Sequence, residues 1–198
     1  MIDSETLLQY EGITKSVAQN EVIIREEDKG WYYYQLITGS ARAINLNESG
    51  REYLQYIVEP GDCFGVIPLF DDGKYAVTVV ATKPSTIIRL PKERFLELLA
   101  KQPELKEKFI QLMCERLRFK IFLSKESANK DPQRSISNLI DYFKGTNKIC
   151  GECNKLNLTR QQIADMLGLR VETVIRSIRN LHLNGKLEIK KGKVYCFD

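Results

Sequence analysis

The sequence predicts an α+β protein: an N-terminal antiparallel β-roll of jelly-roll type, one long helix, and a C-terminal winged helix-turn-helix. Three observations carry that prediction. Short β-branched and aromatic runs are punctuated at even spacing by Gly39, Gly50 and Gly61, the rhythm of a sandwich or barrel. At Pro91 the hydrophobic period changes from that of a strand to that of a helix. Near the end, two short amphipathic helical patterns precede a hairpin with a lysine-rich tip.

Composition narrows the class. The 198 residues suffice for one large domain or two small ones, each with its own core. With 43% hydrophobic and 28% charged residues, the chain reads as globular and soluble rather than disordered. No apolar run approaches the ~20 residues that span a bilayer, and the acidic start around Asp3 and Glu5 argues against a secretory leader. A single histidine, His182, excludes a multi-histidine metal enzyme. Five cysteines, an odd number, suit a reducing cytoplasm better than a disulfide scaffold. The net charge of +4 is uneven. Residues 131–198 hold 12 Lys plus Arg against 7 Asp plus Glu, whereas residues 1–130 hold 18 against 19. A basic module joined to a neutral one is the expectation.

The strands come first. Glu21 to Arg25 is a short apolar run that turns at Asp28-Lys29-Gly30. Trp31 to Thr38 is aromatic and β-branched, which suits a pleated half-buried surface. Ala41 to Asn47 alternates apolar and polar residues. Arg51 to Val58 follows the turn at Glu48-Ser49-Gly50 and ends at Glu59-Pro60-Gly61-Asp62. Phe64 to Phe70 contains Gly65 and Pro68 and reads as a short helical turn. Ala76 to Thr82 and Thr86 to Leu90 complete the roll.

The helices follow. Pro91 fits a first turn, where its missing N–H would have had no partner, and Lys92 to Lys101 is a short helix. Pro103 opens a longer one to about Ala128. Leu105, Phe109, Leu112, Arg116, Phe119 and Leu123 recur at three- and four-residue spacing, with Met113, Leu117 and Lys120 beside them. That face is too wide for one partner, so the helix packs on its own barrel and on a second helix, of this chain or of another copy. Asn129-Lys130-Asp131-Pro132 reads as a hinge. Ser135 to Phe143 is the next helix, stopped at Gly145-Thr146-Asn147. The expected domains are 1–102, the roll; 103–130, the long helix and hinge; and 131–198, the winged helical module.

Leu158 to Leu183 is the most informative stretch. Thr159, with Gln162 three residues on, makes a capping box. Ile163, Met166 and Leu167 form a buried face, Ala164 allows a close crossing, Gly168 permits the turn and Leu169 plugs the core. Val174, Ile178 and Leu181 line the inside of the second helix. This is the helix-turn-helix pattern, whose second helix enters the DNA major groove; a plain αα-hairpin is the bland alternative. Glu172, Ile175, Arg176 and Arg179 fall off the inner face. Arg176 can bond guanine O6 and N7, Glu172 can accept from cytosine N4, and Ile175 can meet a thymine methyl. Glu172 and Arg176 also stand at i and i+4, where a surface ion pair is the competing reading. Leu187 to Ile189 and Val194 to Phe197 frame Lys190-Lys191-Gly192-Lys193, the wing. Arg160, Arg170, Arg179, Lys190, Lys191 and Lys193 are candidates for phosphate contacts, which give affinity without sequence readout. The expected partner is double-stranded DNA.

The order of β-roll, long helix, hinge and winged helix resembles the CRP/FNR family of bacterial transcription regulators from about Val17 onward. Two stretches carry the resemblance: Pro60-Gly61-Asp62-Cys63-Phe64-Gly65-Val66-Ile67-Pro68-Leu69-Phe70, similar to the family's effector loop, and Leu158 to Arg176, similar to its helix-turn-helix. The resemblance implies a cytoplasmic homodimer joined along the long helix (here Phe109, Leu112, Arg116 and Phe119), effector control through the hinge, and RNA polymerase as a partner. Departures are informative. Cyclic-AMP-binding members carry a Glu for the ribose where this chain has Val66, and Arg-Ser for the phosphate where it has Tyr75-Ala76. A buried phosphate without donors would be costly, so cyclic AMP is not the expected ligand, although Lys74 lies one position away. There is no N-terminal cysteine group for an iron–sulfur cluster and no β-roll histidine for haem, so no cofactor is expected. Phe64, Gly65, Val66, Leu69, Lys74 and Tyr75 are the effector-pocket candidates, suited to an unknown apolar effector or to none. Val171 resembles the FNR type of recognition helix and Ile175 replaces its serine, which implies a palindrome with half-sites resembling TTGA.

Cys150-Gly151-Glu152-Cys153 remains. With Cys196 and His182 it makes a weak candidate metal set, a redox pair is the other active reading, and an inert loop is the bland one. No catalytic residue is expected. The competing functional class is a small-molecule-binding or cupin-like enzyme domain with an accessory helical module, against which the single histidine argues.

Overall fold

The computed structural model describes residues 2–144, 146 and 148–197. The chain divides into two compact units, residues 1–115 and 116–198.

The first unit opens with α1 (Ser4–Gln9). The Asp3 carboxylate caps it, accepting the Thr6 N–H at 2.8 Å. Eight strands follow: β1 (Ile13–Val17), β2 (Val22–Ile24), β3 (Tyr32–Thr38), β4 (Ala41–Leu46), β5 (Glu52–Val58), β6 (Cys63–Phe64), β7 (Thr78–Ala81) and β8 (Ser85–Pro91). They pair antiparallel in two four-stranded sheets, ordered β1-β8-β3-β6 and β2-β7-β4-β5. The sequence pattern predicts no element before Glu21, where α1 and β1 lie. The reason is visible in β1, which is buried only at Val17 and shows no alternation. The segment after β6 is helical, as expected: α2 (Ile67–Asp71) has Pro68 in its first turn.

Alternation along β3 builds two cores. Tyr34, Leu36, Phe64, Val79, Ala81 and Ile87 meet in one cluster, with Tyr34 stacked on Phe64 at 5.3 Å. Tyr33 points the other way. It stacks on Phe95 of α3 (Lys92–Lys101) at 4.9 Å and meets Phe109 edge-on at 6.0 Å. Phe109 lies on α4 (Pro103–Ser127), which continues past the division between the units.

In the second unit, Asp131 starts α5 (Pro132–Lys144) by accepting the N–H groups of Gln133 and Arg134 at 3.0 and 3.2 Å. Pro132 has no N–H to satisfy at that place. The rings of Phe119, Phe122, Tyr142 and Phe143 cluster beside it, Phe122 stacking on Tyr142 at 4.7 Å. Glu126 is buried and accepts from Asn138 at 3.1 Å. Gly145 and Asn147, read as the stop of α5, lie outside the described residues. The remaining elements are α6 (Arg160–Leu167), α7 (Val171–Leu183), β9 (Leu187–Lys190) and β10 (Lys193–Cys196).

Candidate DNA-binding face and effector cavity

The helix pair forms as its residues dictate. The Thr159 hydroxyl accepts the Gln162 N–H at 3.1 Å, and the Gln162 side chain accepts the Thr159 N–H at 2.8 Å. Both halves of the capping box are thus present. Gly168 ends α6 at φ 67°, a left-handed conformation that costs most residues energy. The chain then turns, the Leu169 N–H reaching the Ala164 carbonyl at 2.9 Å. Ile163, Ala164, Met166, Leu167, Val174, Ile178 and Leu181 are buried; Leu169 is only half-buried.

The opposite face of α7 is open. Glu172, Ile175, Arg176 and Arg179 are all exposed, and Ile175 keeps 45% of its surface in solvent. No ion pair joins Glu172 to Arg176 among the described residues, so the surface-bridge reading gains nothing. Arg170 is exposed at the start of α7, while Arg160 is partly buried, and burial lowers its pKa. The wing is a two-residue hairpin in which Lys190 pairs with Lys193. Lys191 and Gly192 both have positive φ, 47° and 75°, the type I′ pattern whose twist matches the strands. The three wing lysines are exposed but not equivalent. The Lys190 ammonium already bonds Glu188 at 2.7 Å and lies over the Tyr195 ring.

The 148–156 segment adds to this wing. Leu156 donates to the Val194 carbonyl at 2.9 Å, and Cys196 donates to that of Asn154 at 2.8 Å. The weak metal set is not assembled. Cys196 is buried, His182 Nδ1 lies 3.1 Å from the Leu187 carbonyl, and no metal-binding group of three or more His, Cys, Asp or Glu occurs among the described residues.

The effector candidates do not line one pocket. Phe64 belongs to the core containing Tyr34, whereas Val66 and Leu69 belong to the core around Tyr33 and Phe95. They are consecutive in sequence, but the turn into α2 sends them to different cores. Lys74 is exposed and pairs with Glu27 at 3.1 Å. Among the candidates, Tyr75 borders a cavity of about 440 Å³ in this unit, lined also by Val22, Ile23, Ile24, Arg25, Asp28, Lys29, Trp31, Tyr32 and Tyr34. Its wall is therefore aromatic and charged rather than purely apolar. Lys29 sits 4.4 Å above the Trp31 ring, and Arg89 sits 5.0 Å from the Tyr32 ring with a buried Nε that finds no hydrogen-bond partner. The sequence signal for this cavity is the cluster of Trp31, Tyr32 and Tyr34 beside Lys29, a pattern that a half-buried strand shares.

The helix-face candidates take different places, and Arg116 is half-buried among them. Phe109 is buried and Leu112 packs against the same core; Phe119 stacks within the second unit. The apolar residues that α4 leaves exposed are Ile110, Leu117 and Ile121, at 63%, 61% and 63%. Their seven- and four-residue spacing was legible, but it was hidden beside the stronger core-facing stripe.

Known proteins bear on both units. Residues 14–102 match the cyclic nucleotide-binding domain model, and residues 133–198 match the Crp-like helix-turn-helix domain model. The chain is 25% identical over 188 residues to the transcriptional activator protein FnrA of Stutzerimonas stutzeri, covering 93% of this chain and 76% of that one. It is 24% identical over 205 residues to the nitrogen fixation regulation protein FixK of Bradyrhizobium diazoefficiens, covering 100% and 84%. Among solved structures, FixK2 from Bradyrhizobium japonicum superposes with a TM-score of 0.78 at 20% identity, covering 94% and 93% of the two chains. A CooA mutant from Carboxydothermus hydrogenoformans gives 0.79 at 19% identity, covering 98% and 87%. These likenesses show a shared fold.

Proposed function

The chain belongs to the CRP/FNR family of transcription regulators, and from that premise we propose that it works as a cytoplasmic homodimer on a palindromic, FNR-like DNA site. The observation that carries this reading is the exposed face of α7. Glu172, Ile175 and Arg176 read bases there, and Arg179, Arg170, Arg160 and the wing residues Lys190, Lys191 and Lys193 take phosphates. Lys190 contributes least of the wing set, because Glu188 already holds it.

Residues 1–102 act as the sensor, 103–130 as the dimer helix and hinge, and 131–198 as the reader. The seam between copies runs along Ile110, Leu117 and Ile121, whose spacing is that of a coiled-coil edge. RNA polymerase is the further partner. We assign the sensor a small-molecule effector other than cyclic AMP, since Val66 and Tyr75-Ala76 take the sequence positions at which cyclic-AMP-binding members carry the ribose-binding Glu and the phosphate-binding Arg-Ser. No helix among the described residues is long and apolar enough to cross a membrane, and no residue is assigned a catalytic role.

The test is selection of binding sites from random duplex DNA by the full-length protein. Enrichment of two inverted TTGA-like half-sites, about one helical turn apart, is the expected result. Retention of DNA without any enriched sequence would overturn the reading.

A further inference from the structure

The DNA-binding reading makes no use of Cys150-Gly151-Glu152-Cys153. This motif forms the tip of a small hairpin in which Ile149 and Leu156 face each other in an antiparallel bridge. The Asn154 N–H donates to the Cys150 carbonyl at 2.8 Å, closing one α-turn. Residues three apart on such a turn are neighbours, within the ~4.4–6.8 Å Cα separation that a disulfide spans. Hydrogen bonds from Cys153 and from the Glu152 backbone favour the charged form of Cys150. They hold its thiol below the ordinary cysteine range, which raises the thiolate fraction near neutral pH. Cys153 is exposed and Cys150 half-buried, so small reagents can reach the pair.

The hairpin is tied to the wing by backbone. Leu156 bonds Val194, Cys196 bonds Asn154, and Lys155 faces Tyr195. A change at the tip therefore reaches the strand that carries Lys193.

We infer that Cys150 and Cys153 form a reversible dithiol–disulfide switch, oxidised by low-molecular-weight disulfides, that controls how well the wing fits DNA. The DNA half of this inference rests on the reading of the wing as a phosphate contact. The Cys150 thiolate attacks one sulfur of glutathione disulfide, forming a mixed disulfide and releasing one glutathione thiolate. The Cys153 thiolate then attacks the Cys150 sulfur and releases the second. The protein loses two electrons and two protons, and glutathione disulfide gains both to become two thiols. Closing the bond draws the sulfurs to about 2.05 Å. That tightens the turn carrying Asn154 and disturbs its bond to β10, so the oxidised form binds DNA more weakly.

The experiment equilibrates the full-length protein in glutathione buffers of stepped potential. It follows peptide mapping without reduction and, in parallel, affinity for the selected duplex. The expected result is a Cys150–Cys153 link, a several-fold loss of affinity reversed by dithiothreitol, and a C150S/C153S variant that binds like the reduced protein at every potential. Absence of the link in folded protein at the most oxidising potential would overturn the inference. So would equal affinity of the two forms, or oxidant sensitivity persisting in the double variant. If reduced protein bound no DNA, the wing reading and the coupling would fall together, while the peptide map would still decide the disulfide.

Discussion

The ring of Tyr75 closes over Gly65: a Cβ built at Gly65 would stand 3.1 Å from Tyr75 Cε1 and only 2.8 Å from Ile24 Cδ1. Gly65 also holds φ at 69°, a conformation that disfavours side chains. Backbone and packing thus demand glycine for two independent reasons, and the Tyr75 ring takes up volume inside the roll. Burial and the neighbouring Tyr34 shape its chemistry, and desolvation raises the Tyr75 pKa.

Replacement of Gly65 by Ala should therefore destabilise the first unit by about 1–3 kcal/mol, seen as a lower urea midpoint with an unchanged slope. Cyclic AMP should produce no thermal shift in the unaltered protein. A shift at millimolar cyclic AMP would mean that Tyr75 moves aside and that a phosphate finds a cation.

The reading face makes opposite predictions for two basic residues. Arg176→Ala should cost about 1–3 kcal/mol at the selected site and relax the preference at one base pair. Lys191→Ala should weaken specific and random duplexes alike and reduce the slope of log affinity against log salt by about 1. Binding titrations at several salt concentrations separate the two patterns.

Leu117→Glu should disrupt the proposed seam, because Leu117 is 61% exposed in the single chain and its loss costs the fold little. Sedimentation should show monomers with normal circular dichroism. A dimer of unchanged strength would place the interface elsewhere.

Lys120 supplies a pH signature. Burial depresses its pKa to about 8, whereas the unfolded chain has the ordinary value near 10.4. Between those values the unfolded state binds more protons, so stability rises with pH there. A K120M variant should melt higher than the parent at pH 7, and the advantage should shrink as pH climbs from about 8 to 10. An advantage that did not change with pH would refute the depressed pKa.

Much of this protein was legible in one dimension. The capping box at Thr159 and Gln162, the turn at Gly168 and the hairpin around Lys190-Lys191-Gly192-Lys193 all depend on neighbours within a few residues. Such local rules act before any tertiary contact forms. The same holds for α3 and α4, whose bounds follow from Pro91 and Pro103. What local rules could not supply was the destination of a face. Phe109 and Ile110 are adjacent and both apolar, yet one is 2% exposed and the other 63%.

The sequence by itself determined most of the order of elements from Glu21 onward, the basic second unit and the face of α7 that looks outward, because hydrophobic period and turn chemistry are properties of short segments. Only the tertiary structure decided that Phe64 joins a different core from Val66 and Leu69, that Tyr75 borders a charged aromatic cavity, and that the Cys150 hairpin is bonded to β10. Those outcomes depend on which distant strands pair, and pairing across dozens of residues is settled by the burial of the whole chain rather than by any stretch of it.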